Sequence, residues 1–226
     1  MSENRKSSKL AASLDRRSLL IAGATGLTLM AAGGFTVLGA RPAYAAPQVG
    51  QPAPDFSAVD SNGATQSLSA LRGKTVVLEW TNHDCPFVRK HYNANNMQGL
   101  QREAADAGVV WLSVVSSPPG EQGHVSPAEA NQLTTKRNAA PSAVVLDPES
   151  KMARAYNARV TPHMFIIGAD GTLLYMGGID SIASTRADDL AKATPYFRDA
   201  LAAVTKGQPV TNAVTRPYGC AVKYAS

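Results

Sequence analysis

Cysteine is scarce in this chain: 226 residues hold two, Cys85 and Cys220. In an oxidising compartment a pair with no leftover points to one disulfide, either structural or catalytic. Net positive charge is also scarce once its position is considered. The formal charge is +5, but Arg5, Lys6, Lys9, Arg16, Arg17 and Arg41 against Glu3 and Asp15 put +4 of it in residues 1–45 and leave +1 for the rest. No basic nucleic-acid face is implied. Internal repeats, a phosphate loop, a dinucleotide fingerprint and a Ser-His-Asp order are missing too. No cofactor is therefore expected.

Residues 1–45 have a polar, basic opening, an uncharged run over 18–40, and the small-residue pattern Ala43-Tyr44-Ala45 before Ala46-Pro47. That order predicts an export signal cleaved after Ala45, with the protein working in the periplasm or otherwise outside. Arg16-Arg17 followed by Ser18-Leu19-Leu20 resembles a twin-arginine signal, with Asp15 where Ser or Thr is usual and Leu19 for the commoner Phe. A Sec signal is one alternative. An uncleaved anchor is another, since roughly 20 apolar residues span a bilayer, although Gly23, Gly26, Gly33, Gly34 and Gly39 lower the hydrophobicity of the run. After cleavage no membrane contact is expected, and residues 46–226 suit one domain.

The stretch TVVLEWTNHDCPFVRKHY, residues 75–92, organises that domain. Its apolar start predicts a buried strand, and the Cys-Pro pair with the basic segment after it predicts that Cys85 sits at a helix start. First-turn N–H groups lack intrahelical partners and the helix dipole is positive there, so a thiolate is favoured over a thiol. Pro86 suits the first helical position. Asn93, Asn95 and Asn96 then predict a break.

A second helix is expected to stop at Gly108, followed by a buried strand over 109–116. Ser126-Pro127-Ala128-Glu129 reads as a capping box opening a helix to about residue 138. Strands are expected over 143–146, 160–167 and 173–176, a short helix from Asp147-Pro148, and a final helix over 195–204. Asp60-Ser61-Asn62-Gly63 predicts an N-terminal hairpin. Residues 209–226 read as an extended tail. Strands alternating with helices and then a hairpin make an α/β fold with a mixed sheet covered by helices on both faces.

Three landmarks then coincide: Gly50-Gln51-Pro52-Ala53-Pro54-Asp55-Phe56 with Leu68-Ser69-Ala70-Leu71-Arg72-Gly73-Lys74, the strand-to-helix Cys85, and Thr161-Pro162 opening a strand. In that order the chain resembles a redoxin, the branch of the thioredoxin superfamily that includes alkyl hydroperoxide reductases and thiol-specific antioxidants. The resemblance implies a thioredoxin-like fold, a cis Pro162 facing Cys85, and a free backbone edge at Thr161 for an extended substrate. It also departs from the pattern. Val88 stands where thioredoxins carry a second cysteine, with Asn82 three residues before Cys85. Peroxidases of this branch have a threonine with two residues between it and the cysteine, whereas Thr81 is four before Cys85, one step out of register.

The resulting expectation is an exported thiol oxidoreductase. Cys85 attacks, Cys220 resolves through a mixed disulfide or sulfenic acid, and Pro162 shapes the groove. Thr161, Trp80 and Arg89 are the expected substrate-side groups. The expected partners are a hydroperoxide or a disulfide-containing protein and a thiol reductant. Two alternatives stay open: a non-catalytic binding domain stapled by Cys85–Cys220, and a copper module drawing on the thiolates and His83, His91 or His163.

Overall fold

The structure is a computed structural model and describes residues 46–226; the expected export signal lies outside the described residues. Five strands form the central sheet, in the order 143–146, 110–115, 76–80, 163–167 and 173–177. The middle strand β3 (Val76–Trp80) is buried at every position, because it has a neighbour on each edge and helices over both faces. It runs parallel to β4 (Val110–Val115), which runs parallel to β5 (Ala143–Leu146). On the other edge β7 (His163–Ile167) is antiparallel to β3, and β8 (Leu173–Gly177) is antiparallel to β7. This is the thioredoxin-like α/β arrangement expected from the sequence.

Strand alternation sorts the core into two halves. Leu78 and Trp80 join Phe56, Leu112, Met152, Tyr156 and Phe165 on one face. Val77 joins Val88, Met97, Trp111, Tyr175 and Phe197 on the other. That second half is covered by α1 (Pro86–Asn93), α2 (Asn96–Asp106) and α5 (Tyr196–Thr205). Asn95, at φ 56°, makes the break between α1 and α2, a conformation that asparagine tolerates better than most residues. On the same face as these helices, at the β4–β5 end, α3 (Pro127–Lys136) packs Ala130 and Leu133 against Val115, Val144 and Leu146, while the opposite face carries α4 (Lys151–Ala155). The capping box opens α3: Ser126 Oγ accepts from the Glu129 N–H at 3.3 Å, and Glu129 Oε2 accepts from the Ser126 N–H at 2.7 Å.

Three expectations change in detail. The N-terminal hairpin, β1 (Ser57–Val59) with β2 (Thr65–Ser67), is closed by a longer loop than an Asn-Gly pair alone requires, gathered on the Asp60 carboxylate. The strand expected over 160–167 is divided at the cis Thr161–Pro162 bond, since proline brings no N–H to the ladder. Its first part, β6 (Val160–Thr161), leaves the sheet and pairs with β9 (Cys220–Ala221) from the tail. The tail itself is pinned along its length: the Met176 N–H donates to Ala213 O at 3.0 Å, Val222 N–H to Arg159 O at 3.0 Å, and the Tyr224 hydroxyl to Ala158 O at 2.7 Å.

Candidate active site

Because β7 runs against β3, its start lies beside the end of β3, where Trp80 pairs with His163. The loop that follows β3 therefore meets Thr161–Pro162. Asn82 shapes this loop, its side-chain oxygen accepting from Asp84 N–H at 2.9 Å and its carbonyl from Cys85 N–H at 3.1 Å. Cys85 becomes the N-cap of α1, with Pro86 in the first turn, and its thiol donates to Thr161 O at 3.1 Å. Cys85 is wholly buried.

Opposite Thr161 in the β6–β9 pair stands Cys220, half-buried, and both cysteines are free. Hydrogen bonds along the tail, between Met176 and Ala213, Arg159 and Val222, and Ala158 and Tyr224, join it to the domain. The two thiols interact and are pushed in opposite directions. Burial raises Cys85, but the Cys220 side chain, the Val88 and Cys220 N–H groups and the Thr161 hydroxyl outweigh it, and its pKa falls below the ordinary 9.0. The Val88 N–H falls short of a full cap hydrogen bond, yet its direction favours negative sulfur. The Thr161 hydroxyl has no partner while Cys85 is a thiol, so it is a donor in reserve for the thiolate. Cys220 is pushed up to about 12, first by burial, then by its hydrogen bond to Cys85 and the charge there. One sulfur is prepared to ionise and the other to keep its proton. Replacing Cys220 by alanine leaves the burial of Cys85 and removes its strongest stabilising partner. The Cys85 midpoint is then expected to move up in a titration of thiolate ultraviolet absorbance; an unmoved midpoint would contradict this coupling.

Thr161 and Pro162 lie at the site as expected, but Trp80 does not line a groove. It is 0 % exposed, its indole N–H donates to Ser116 Oγ at 3.0 Å, and it packs on Tyr156 and Phe165 in the core. Alternation along β3 directs it to the face away from α1. Arg89 is exposed on α1 and its charge bears on Cys220 rather than on Cys85. Thr81 keeps a buried hydroxyl without a partner and is not among the groups that shift Cys85. The three histidines do not converge on the sulfurs. His83 faces Asp84, His91 meets Tyr218, and His163 packs at a tilt against Phe165. Among the described residues no group of three or more His, Cys, Asp or Glu is placed to hold a metal ion.

Two buried polar clusters beside the site escaped the sequence reading. Glu79, fully buried in β3, accepts from Tyr92 Oη at 2.8 Å, Trp111 Nε1 at 2.9 Å, Ser113 Oγ at 2.9 Å and Gln101 Nε2 at 3.3 Å. A charge within the run VVLEW was the available signal. The other cluster joins α1 to the tail. Lys90 Nζ donates to Tyr218 Oη at 2.9 Å, Ile182 O at 3.2 Å and Asp180 Oδ2 at 3.3 Å, and Tyr218 Oη donates to Asp180 Oδ1 at 2.5 Å. The Lys90 side chain has no exposed surface and that of Asp180 only 5 %. The ring of Phe87 closes over Tyr218, with centroids 5.7 Å apart.

Known proteins agree with this architecture. Two crystal structures share the fold: an uncharacterized conserved protein from Geobacillus kaustophilus, with TM-score 0.69 and 23% identity over 79% of this chain and 93% of that one, and a hypothetical protein from Sinorhizobium meliloti 1021, with TM-score 0.66 and 21% identity over 80% and 97%. The thiol-disulfide oxidoreductase ResA of Geobacillus kaustophilus is 29% identical over 153 residues, which span 64% of this chain and 78% of ResA. The AhpC/TSA family model matches residues 49–176, which hold the hairpin, the Cys85 helix start and the Thr161–Pro162 turn. The chain belongs to the AhpC/TSA family.

Proposed function

We propose that the protein is a thiol-disulfide oxidoreductase in which Cys85 is the attacking thiolate and Cys220 the resolving thiol. The observation that carries this is the pair itself: two free thiols in contact across β6–β9, one shifted down and the other up to about 12. The Cys85 thiolate attacks one sulfur of a disulfide, the S–S bond breaks, and the first substrate thiolate leaves. Cys220 then attacks the Cys85 sulfur, and the second thiolate departs with the proton that Cys220 gives up. The substrate has gained two electrons, and the protein holds a Cys85–Cys220 disulfide that an external thiol reductant reopens by the same exchange. Pro162 shapes the groove, and the Thr161 hydroxyl steadies the charged sulfur. The name of the similar ResA supports this reaction class.

A second reading, hydroperoxide reduction, is favoured by Val88 standing where a second cysteine of the loop would be, and by the AhpC/TSA match. There the thiolate takes the terminal peroxide oxygen, an alcohol leaves, and the Cys85 sulfenic acid condenses with Cys220, releasing water. Export by the twin-arginine-like segment, with the domain of residues 46–226 at work in the periplasm, completes the proposal.

The test is resolution. With the reagent dithiodipyridine, reduced protein of wild-type sequence is expected to release two equivalents of thiopyridone and end as Cys85–Cys220. Cys220→Ser is expected to release one and to retain the adduct on Cys85, seen by mass spectrometry. Since each thiol consumed releases one thiopyridone, the deciding readout is the mass of the wild-type product: a thiopyridine adduct retained on both cysteines, instead of a Cys85–Cys220 bridge, would remove Cys220 from the reaction.

A further inference from the structure

With the tail docked, Cys85 has no exposed surface, and β9 occupies the Val160–Thr161 edge: Thr161 pairs with Cys220 and Val160 with Ala221. An extended disulfide substrate needs the same edge and the same sulfur, so substrate and β9 exclude one another. Resting on the oxidoreductase reading above, we infer that Tyr218 is the positioning residue that governs this exchange. Clamped between Lys90 and Asp180, it holds the strand of Cys220 over Cys85, closing the site to a bulky disulfide and returning Cys220 for the second step.

The hydrogen bonds around the Tyr218 hydroxyl support this assignment. The Lys90 ammonium has three donors, and they go to Asp180, Ile182 and Tyr218. Asp180 accepts from Lys90, from the Ile182 N–H at 2.9 Å and from Tyr218. Tyr218 Oη is therefore both acceptor for the buried cation and donor to the buried anion, and His91 Nε2 approaches it at 3.3 Å. A docked tail without that hydroxyl leaves two charged groups short of a partner, whereas a lifted tail lets water supply both. Losing the hydroxyl thus shifts the tail toward the lifted state. Gly219 marks the second point of fit. It has φ +145°, and a Cβ there would collide with the Thr161 carbonyl, so no other side chain lets β9 lie flat beside β6.

The reaction needs the two states in turn. First attack requires β9 lifted, and it leaves a mixed disulfide on Cys85. Resolution requires β9 down, when the Cys220 sulfur replaces the remaining substrate sulfur. A residue that favours the docked state slows the first step and speeds the second.

The experiment compares wild type, Tyr218→Phe and Gly219→Ala, each checked for folding by circular dichroism. One arm is maleimide alkylation of Cys85, followed by mass spectrometry. The other follows both half-reactions with a peptide dimerised through one cysteine. In both variants Cys85 is expected to alkylate about tenfold or more faster, with quicker release of the first peptide thiol, slower release of the second, and accumulation of mixed disulfide. Alkylation and both half-reactions at wild-type rates in the two folded variants would overturn the inference. So would slowing of both half-reactions together, the mark of a merely structural residue. Faster alkylation in the variants with no peptide thiol released by any form, wild type included, upholds Tyr218 as the holder of the tail and overturns the oxidoreductase reading instead.

Discussion

Cys85→Ser is expected to lower disulfide reduction by about a thousandfold or more, to the background of the reagents alone. Serine keeps the N-cap position, the Pro86 first turn and nearly the same volume, so the helix start survives the change. What it loses is ionisation. A hydroxyl in place of the thiol has no anionic form near neutral pH for the Cys220 thiol and the first-turn N–H groups to stabilise, and only the anion attacks sulfur. Thiol release from a model disulfide, followed under excess reductant, makes the comparison. Equal rates in the two proteins would remove the catalytic role, whatever the contact between the sulfurs. Peroxide consumption by the same pair of proteins separates the second reading from the first: a rate that collapses in Cys85→Ser for peroxide alone would place hydroperoxides ahead of disulfides.

Glu79→Ala is expected to cost about 3 kcal/mol or more of folding stability, read as a lower midpoint in urea denaturation. The substitution leaves Tyr92, Gln101, Trp111 and Ser113 with donors aimed at a vanished acceptor in the middle of the sheet. Non-additivity keeps the cost below four separate hydrogen bonds, because small shifts let Gln101 and Tyr92, already 3.2 Å apart, satisfy one another. A loss under about 1 kcal/mol would mean that the cluster contributes little.

A pH dependence follows from the same carboxylate. Burial pushes Glu79 above its ordinary 4.5, more than its four donors pull it down. The folded state then holds a proton that the unfolded chain has already lost, so this group's contribution to stability falls as pH rises from 4.5 through the folded midpoint, and is level above it. Asp147, also raised by burial, acts in the same direction. In Glu79→Ala the decline should be shallower but still present.

The Cys85 helix start was legible because its causes are local. An apolar run, a Cys-Pro junction and a basic helical segment are adjacent in the chain, and the dipole argument needs nothing else. The capping box at Ser126 and the strand-opening Pro162 were legible for the same reason. The direction of Trp80 was not: its place at a strand end near Cys85 suggested the groove, but alternation in β3 decides the face, and the face away from α1 belongs to the core. Nor was the tail, which has no period. Its order comes from partners far off in sequence, with Thr215 on β8, Tyr218 on α1 and Tyr224 on α4. Lys90 and Asp180 each read as ordinary surface charges until the fold brings them together with the surface excluded.

Because β9 and its flanking residues lie outside the five-stranded sheet, the second sulfur is an accessory to a scaffold that closes without it. A version of this chain ending before residue 213 would keep the nucleophile's strand, turn and helix, and would have to borrow a thiol from another molecule to finish each cycle. On the oxidoreductase reading proposed above, the choice between a self-sufficient couple and a one-thiol enzyme dependent on its reductant would thus be written in a few C-terminal residues outside the central sheet.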